Sequence, residues 1–489
     1  MTLAARIAHN SIISAITRVL SLGLALVTVG LMTRYLGTAG YGDYSTVIAF
    51  YFLVTSLSDF GINQIFTREI SRPKANEKDI ISNVLGLRLS ISLVVSFLGI
   101  LSILFLNYNN ATKQGIIVMC IALIFSSLSQ TLNSVFQKRL VMNRLAWREL
   151  IGRFVQLGLT YLAIRKDWGV SGVVGATAVS YLFIFLASWR LSKEYVEPSF
   201  SFDKKYFLYF VKESLPLGLA AIVNFLYFKA DILLLSYFKE SHDVGIYGAA
   251  YKVIESLIYF PFMFMGLITP VFSYNIFKNP EKFLKIASHT LKALLIVTVP
   301  LVVLLLFLSG EVVRIIAGKG FEEATLVMQI LTPALGAIFL AHFFNSVLIV
   351  ANKQKLLLLI LSGVAAFNII FNILLIPYYS FLAAAVISTI SEILVTFVVF
   401  LVSRKWGIGW GKGWQKMPLM SLGISTVGMI LVLYLLNSQS FSLWLGLAVK
   451  GLMGGGVYLG LLFLTSGIRV SEIKEIFSKK YANEEPINL

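Results

Sequence analysis

Fourteen times along its 489 residues the sequence runs apolar for about twenty residues, and short polar or Gly/Pro turns separate the runs. A bilayer hydrocarbon core of roughly 30 Å is crossed by about 20 apolar residues in a helix. In lipid only helices and closed barrels satisfy every backbone polar group. The expected fold is therefore an all-α polytopic membrane protein of about 14 transmembrane helices. Their approximate limits are 10–34, 41–63, 81–106, 114–136, 149–164, 169–189, 207–238, 244–274, 286–309, 325–350, 356–376, 380–403, 417–436 and 443–466. The fifth is the shortest and ends at Arg165-Lys166, and without it every later span would change direction. Only 13% of residues are charged, against about 25% in soluble domains, which excludes a soluble enzyme.

Cations set the orientation. The balance of 41 Lys and Arg against 24 Asp and Glu gives +17, which in a soluble chain would suggest nucleic acid. Here the positive-inside bias accounts for it: alternate segments beginning with the N-terminus hold 26 Lys and Arg, the others hold 7, and 8 lie within spans. Both termini are thus expected in the cytoplasm, with the chain multi-pass in the cytoplasmic (inner) membrane and no nucleic-acid partner. Tyr35, Tyr41, Tyr44, Trp168, Tyr378 and Tyr379 fall at outer ends, and Trp406, Trp410 and Trp414 at an inner loop, as interfacial aromatics should. The first apolar stretch is too long for a cleavable signal and a second follows at once.

The chemistry of an enzyme is missing. No loop exceeds about 25 residues, so no globular catalytic domain is expected. The nearest thing to a phosphate-binding loop, Gly407 to Gly413, has Gly413 where Ser or Thr should hold magnesium. His9, His242, His289 and His342 lie on separate segments, and no Asp-x-Asp pair occurs. His342, well inside span ten, reads as a hydrogen-bonded bundle residue ahead of a proton carrier. The one cysteine, Cys120, excludes an internal disulfide and multi-Cys metal sites. The expectation is a transporter without cofactor or metal.

An internal echo supports it. Gly40-Tyr41-Gly42-Asp43-Tyr44, between spans one and two, resembles Gly245 to Tyr251, between seven and eight, at an offset of about 206 when Tyr41-Gly42 is laid on Tyr247-Gly248. Gly172 to Ala178, opening span six, resembles Ser380 to Val386, opening span twelve, at an offset of 208. Chance similarity among small residues is the competing reading. Six spans per copy is even, so the copies would be parallel, and two six-helix lobes facing across a cavity is an alternating-access architecture. The domains would then be an N-lobe (1–190), a cytoplasmic linker (191–206), a C-lobe (207–403), two appended spans (404–466) and a cytoplasmic tail (467–489).

Ionisable residues within spans are costly and mark functional candidates. Arg153, Lys212 and Lys292 lie near inner ends, where snorkelling accounts for them. Arg18 and Arg88 lie about eight residues in, near 12 Å at the helical rise, and are expected to line an inward-opening cavity. Lys229 with Asp231, and Lys252 with Glu255, lie in the outer halves of spans seven and eight, where a structural ion pair is an equal alternative. Asp59 is a further buried acid. Glu392 falls near the middle of span twelve, suited to ion or proton coupling or to a hydrogen-bonded carboxyl. A cavity with surplus cations suits an anionic cargo, and the arginine fork matches phosphate.

Arg34 to Gly42, then Asp59-Phe60-Gly61 and Arg68-Glu69-Ile70, resemble the N-terminal signature of the polysaccharide-transport branch of the multidrug/oligosaccharidyl-lipid/polysaccharide exporter superfamily. Val312 to Ala324, with Gly318 and Phe321, resembles that family's amphipathic segment before span ten. Ile376-Pro377-Tyr378 and Ala383-Ala384-Ala385 resemble its opening of span twelve, with Ser380 and Ala383 where glycines are expected. The resemblance covers nearly the whole chain. It implies a V-shaped fold of two lobes plus two C-terminal helices. It also implies flipping of polyprenyl-(pyro)phosphate-linked oligosaccharides to the outer leaflet, in concert with glycosyltransferases or a glycan polymerase. Spans one, two, seven and eight line the cavity in such families, which ranks Arg18, Asp59, Lys229, Asp231, Lys252 and Glu255 first. The alternatives are an ion-coupled multidrug antiporter on the same fold, for which the cationic balance is unsuited, and a membrane glycan polymerase or ligase, for which a large outer loop is missing.

Overall fold

The computed structural model describes residues 3–467 apart from 74, 140, 407–417 and 440. The Gly407–Gly413 stretch, Trp410, Trp414, the side chains of Arg6 and His9, and the tail beyond 467 lie outside the described residues. The apolar runs form helices: α1 (Leu3–Asp59), α2 (Ile62–Ile70), α3 (Glu77–Ser102), α4 (Asn110–Lys138), α5 (Met142–Arg165), α6 (Gly169–Ser192), α7 (Lys204–Phe238), α8 (Ser241–Asn275), α9 (Pro280–Ile316), α10 (Ala324–Val350), α11 (Gln354–Ser403), α12 (Leu419–Asn437) and α13 (Leu443–Leu464).

Eleven of these are long and apolar enough to cross a membrane, and the chain is a multi-pass membrane protein. Two are double. α1 has 57 residues and bends at Gly37 (φ 64°), and α11 has 50 and bends at Ser380 (φ 51°). At 1.5 Å per residue an unbroken α1 would be about 85 Å long, nearly three times a bilayer core of roughly 30 Å, so the left-handed residue is what turns one span into the next. Glycine takes that conformation freely and serine at a cost. The shortest apolar stretch is a 24-residue helix, α5, whose first half carries Arg144, Arg148, Glu149 and Arg153. Dividing α1 and α11 at their bends and adding α5 accounts for fourteen helical segments.

One helix lies where the sequence suggested a loop. α2 buries Ile62, Ile65, Phe66, Glu69 and Ile70, the three-and-four spacing of one helix face. Residues Met1–Ala249, Ile316–Phe321 and Leu361–Ile387 form one compact unit, unit 1, and the rest of the chain forms unit 2. Unit 1 has one core around Phe66, Leu85, Leu132 and Phe210, and another around Val47, Tyr51, Cys120 and Leu123. In unit 2, Met429, Leu433, Tyr458 and Leu462 of the α12–α13 pair pack against Leu295, Val299 and Phe307 of α9. There Lys450 is buried, its Nζ donating to Glu311 Oε1 at 2.6 Å and to Asn437 Oδ1 at 2.9 Å. That bond neutralises a charge otherwise costly in lipid.

Candidate functional site

The signature residues build a joint at the Gly37 end of unit 1. Arg34 Nη1 donates to the carbonyls of Gly30 at 2.7 Å and Ile316 at 3.1 Å. Against it lies Gly318, whose φ of +90° suits glycine. Phe321, 1% exposed, packs edge-on to Tyr41 at 6.2 Å. Tyr35 donates to Asp167 Oδ1 at 2.7 Å and accepts from the Gly169 amide at 2.8 Å. The motif's side chains thus fasten both neighbouring turns to the bend at Gly37.

The glycines bring two helices into backbone contact. A Cβ on Gly42 would lie 1.7 Å from the carbonyl oxygen of Ser241, and one on Gly245 would lie 1.9 Å from that of Thr38. Each glycine faces the carbonyl four residues before the other, the reciprocity of a local two-fold. The equivalence is therefore Gly42-Asp43-Tyr44 with Gly245-Ile246-Tyr247, an offset of 203 and not the 206 read from matching the Tyr-Gly pairs. Asp43, buried and absent from the sequence candidates, accepts from Asn109 Nδ2 at 2.8 Å, Thr112 Oγ1 at 2.9 Å and Ser241 Oγ. Beside it, Ser380 Oγ donates to Asp243, and Lys239 Nζ donates to the Pro377 carbonyl at 2.9 Å. The departure from glycine at 380 thus provides a hydroxyl that anchors the second bend.

A different joint closes the Gly61 end of unit 1. Between α1 and α2, Phe60 (φ 43°) and Gly61 (φ 75°) are both left-handed, an uncommon strain for an aromatic residue. The Phe60 ring lies where a Cβ on Gly218 of α7 would come within 2.6 Å, and a Cβ on Gly61 would meet Leu217 Cβ at 2.5 Å. Arg68 reaches Glu213 of α7 at 2.8 Å and Glu69 at 2.9 Å, with both Arg68 and Glu213 well exposed. Hydrogen bonding to Glu213 first, and to Glu69, raises the Arg68 pKa further.

Arg88 is held just behind this break. Fully buried, it donates to the Ser58 carbonyl at 2.7 Å and pairs with Asp59 at 3.3 Å. Asn63 donates to the same carboxylate and reaches Gln130 Oε1 at 3.4 Å. In this conformation Arg88 presents no surface, and its place is that of a structural charge pair. Arg148, counted as a loop residue in the sequence, is likewise buried and donates to Asn133 at 2.8 Å and Ser188 at 2.6 Å.

The remaining candidates are distributed. Arg18 is exposed on α1. Lys229 lies 5.2 Å from the Phe52 ring centroid, a cation–π contact. Asp231 is buried and accepts from the Ile232 amide at 2.8 Å and from Tyr247 Oη. Lys252 and Glu255, in unit 2, do pair, at 2.9 Å. Glu392 is buried in unit 2, where Thr396 donates to its backbone carbonyl at 2.8 Å. His342 packs edge-on against Phe262 at 6.1 Å. Arg153 and Lys212 are exposed. Among the described residues no group of His, Cys, Asp and Glu could hold a metal ion.

Long apolar helices, two of them bent back at left-handed residues and two brought together through opposed glycines, define among the described residues a helical multi-pass protein with the fold of an exporter superfamily. Over 96% of this chain and 100% of the other, the fold is similar to lipid II flippase MurJ in an inward closed conformation, with a TM-score of 0.77 and 16% identity. An inward-facing multidrug resistance MATE transporter is similar over 81% and 97%, with a TM-score of 0.64 and 15% identity. In sequence the chain resembles a probable low-salt glycan biosynthesis flippase, Agl15, of Haloferax volcanii, 22% identical over 399 residues covering 79% of this chain and 81% of that one. It also resembles an uncharacterized membrane protein of Methanocaldococcus jannaschii, 27% identical over 258 residues, 51% of this chain and 49% of the other. Residues 7–276 match the polysaccharide biosynthesis protein family and residues 216–374 match the MatE family. The chain belongs to the polysaccharide biosynthesis protein family, within the polysaccharide-transport branch of the multidrug/oligosaccharidyl-lipid/polysaccharide exporter superfamily.

Proposed function

We propose that this protein is a flippase that moves a polyprenyl-(pyro)phosphate-linked oligosaccharide across the cytoplasmic membrane for cell-surface polysaccharide assembly. The observation that carries the reading is the alignment with a probable glycan biosynthesis flippase over 79% of this chain and 81% of the relative. Glycosyltransferases on the cytoplasmic side would supply the cargo, and a glycan polymerase on the other side would consume it. Both termini are cytoplasmic in this reading. Residues 1–190 and 207–403 are the two lobes, 404–466 the appended spans, and the 191–206 linker is where the lobes rock.

The Gly37 joint is then the outer gate and the Gly61 joint the inner one. Arg18 contacts the phosphate, Lys229, Lys252 and Glu255 serve the headgroup region, and Asp231 and Glu392 are candidates for ion coupling. Arg88 and Asp59 act through the fold of the inner gate. With no nucleotide-binding loop in the sequence, the drive is a gradient or the membrane potential. For an anionic headgroup moving outward, a negative-inside potential supplies about 2.3 kcal/mol per charge per 100 mV.

The match of residues 216–374 to the MatE family favours a second reading, an ion-coupled multidrug antiporter. Proteoliposomes separate the two. Arg18→Ala should abolish flipping of a prenyl-pyrophosphate-linked sugar, with Arg18→Lys retaining part, because lysine keeps the charge but loses the fork. Normal flipping by Arg18→Ala removes Arg18 from the site. A wild-type protein that moves cationic drugs and not the lipid-linked sugar overturns the flippase reading.

A further inference from the structure

Unit 2 contains an apolar hollow of about 380 Å³ between α9, α10 and the second half of α11, lined by Leu291, Pro333, Ala337, Phe344, Phe397 and Phe400 among others. Its origin is legible. Pro333 inside α10 provides no amide for the preceding turn, and Ala337 leaves space where a larger side chain would fill it. Thr389 and Thr396 turn their hydroxyls away to the carbonyls of Ile330 and Ala337, at 2.7 and 2.9 Å. Ile393 and Phe397, on its α11 side, are 49% and 56% exposed, so the hollow opens onto the surface of a membrane-spanning helix.

One end of this hollow is cationic. The two threonine bonds share an offset of 59 residues, so α10 and the second half of α11 run parallel. α9 runs antiparallel to α10, since Gly336 faces Thr298 and Val302 while Gln329 reaches the Leu306 carbonyl. The start of α9, the end of α10 and the end of α11 therefore meet at one level. Lys278, Lys282 and Lys285 lie at the first, Lys353 and Lys355 at the second, and Arg404 and Lys405 at the third. Glu281 is the one acid among the described residues of these segments. Ile393, Phe397, Phe400 and Arg404 follow one another at four, three and four residues, which puts Arg404, the helical cap of α11, on the continuation of the stripe that lines the hollow.

We propose that this hollow is a site for an anionic membrane phospholipid, with an acyl chain along Pro333, Ala337 and Phe397 and the phosphate on Arg404 and Lys405. An apolar body disfavours a water-soluble ligand, and the cationic end selects a net-negative headgroup over a zwitterion. Arginine adds the bidentate geometry that phosphate oxygens match.

Full-length protein in neutral detergent is titrated with dioleoyl phosphatidylglycerol or dioleoyl phosphatidylcholine, and retained lipid is read by native mass spectrometry alongside the melting temperature. Wild type should retain phosphatidylglycerol, melt higher with it, and discriminate against phosphatidylcholine. Arg404→Gln with Lys405→Gln should lower phosphatidylglycerol retention by roughly 25-fold, at about a factor of five for each of the two surface cations, with phosphatidylcholine unchanged. Ala337→Leu should lower retention of both. Phe397→Ala, at an exposed position, tests the same wall should Ala337→Leu fail to fold. Equal retention of the two lipids by wild type, or wild-type retention in both the charge and the wall variants, overturns the site. Competitive displacement of phosphatidylglycerol by a prenyl phosphate assigns the hollow to another lipid and overturns it as well.

Discussion

Where α1 meets α8 at the Gly37 end of unit 1 the chain presses backbone on backbone, whereas where α1 meets α7 at the Gly61 end side chains come first, the Phe60 ring and Leu217 Cβ, with the Leu217–Gly218 main chain 2.9–3.0 Å from a would-be Gly61 Cβ. Around Gly42 and Gly245 the obstacles to any added atom are carbonyl oxygens, 1.7 and 1.9 Å from the would-be Cβ. Around Gly218 the obstacle is the Phe60 ring, and further along stands an ion pair whose partners are 45% and 41% exposed. Backbone in a packed helix cannot move without moving the helix, but a ring can rotate and an exposed ion pair exchanges with water. Joints of the first kind open as a unit or not at all, and those of the second kind loosen residue by residue. On the function proposed above, the Gly61 end is the easier to part.

The comparison can be broken in four places. Arg88→Ala should have the largest effect, about 3 kcal/mol, because it empties a fully buried site behind the Gly61 break and leaves Asp59, which is partly exposed, with the Asn63 bond alone. A melting temperature within error of wild type would show that the charge behind that break does not hold it. Gly245→Ala should cost about 1–3 kcal/mol, toward the upper end, since its obstacle is main chain. Gly218→Ala should cost less than Gly245→Ala in the same thermal-melt series, because the Phe60 ring can yield. The reverse order would invert the distinction drawn between the two ends. Glu213→Gln should leave the melt unchanged, and its whole effect on transport should vanish in 1 M salt, where screening acts within about 3 Å. A salt-independent loss of transport would mean that the Arg68–Glu213 pair is not screened as an exposed pair must be.

The joints show where sequence reasoning reached and where it stopped. Arg34, Gly37, Gly42, Gly318 and Phe321 all stood in recognisable motifs, yet nothing in the string says that Arg34 and Gly318 touch, or that Tyr41 meets Phe321. The repeat was visible but was aligned on identical residues, when the geometry equates a glycine with a glycine and lets the residue before it differ, Tyr41 against Val244. Depth in the membrane singles out Arg88, and the family resemblance singles out Asp59. Depth gives the cost of a buried charge but not its partner, which is set by how α3 crosses the end of α1. Asp43 and Arg148 escape the same reasoning, since each sits at a span boundary and is buried only by the helices packed on it.

What the sequence determined by itself is what the solvent dictates locally. An apolar run of sufficient length must be a helix in lipid, and composition alone excludes a soluble enzyme. The tertiary structure decided which helices approach closely enough for a missing Cβ to matter, and which buried charge meets which carboxylate. Those depend on distances of a few ångströms between segments some two hundred residues apart, as from Gly42 to Gly245, and neither helical periodicity nor hydropathy carries that information.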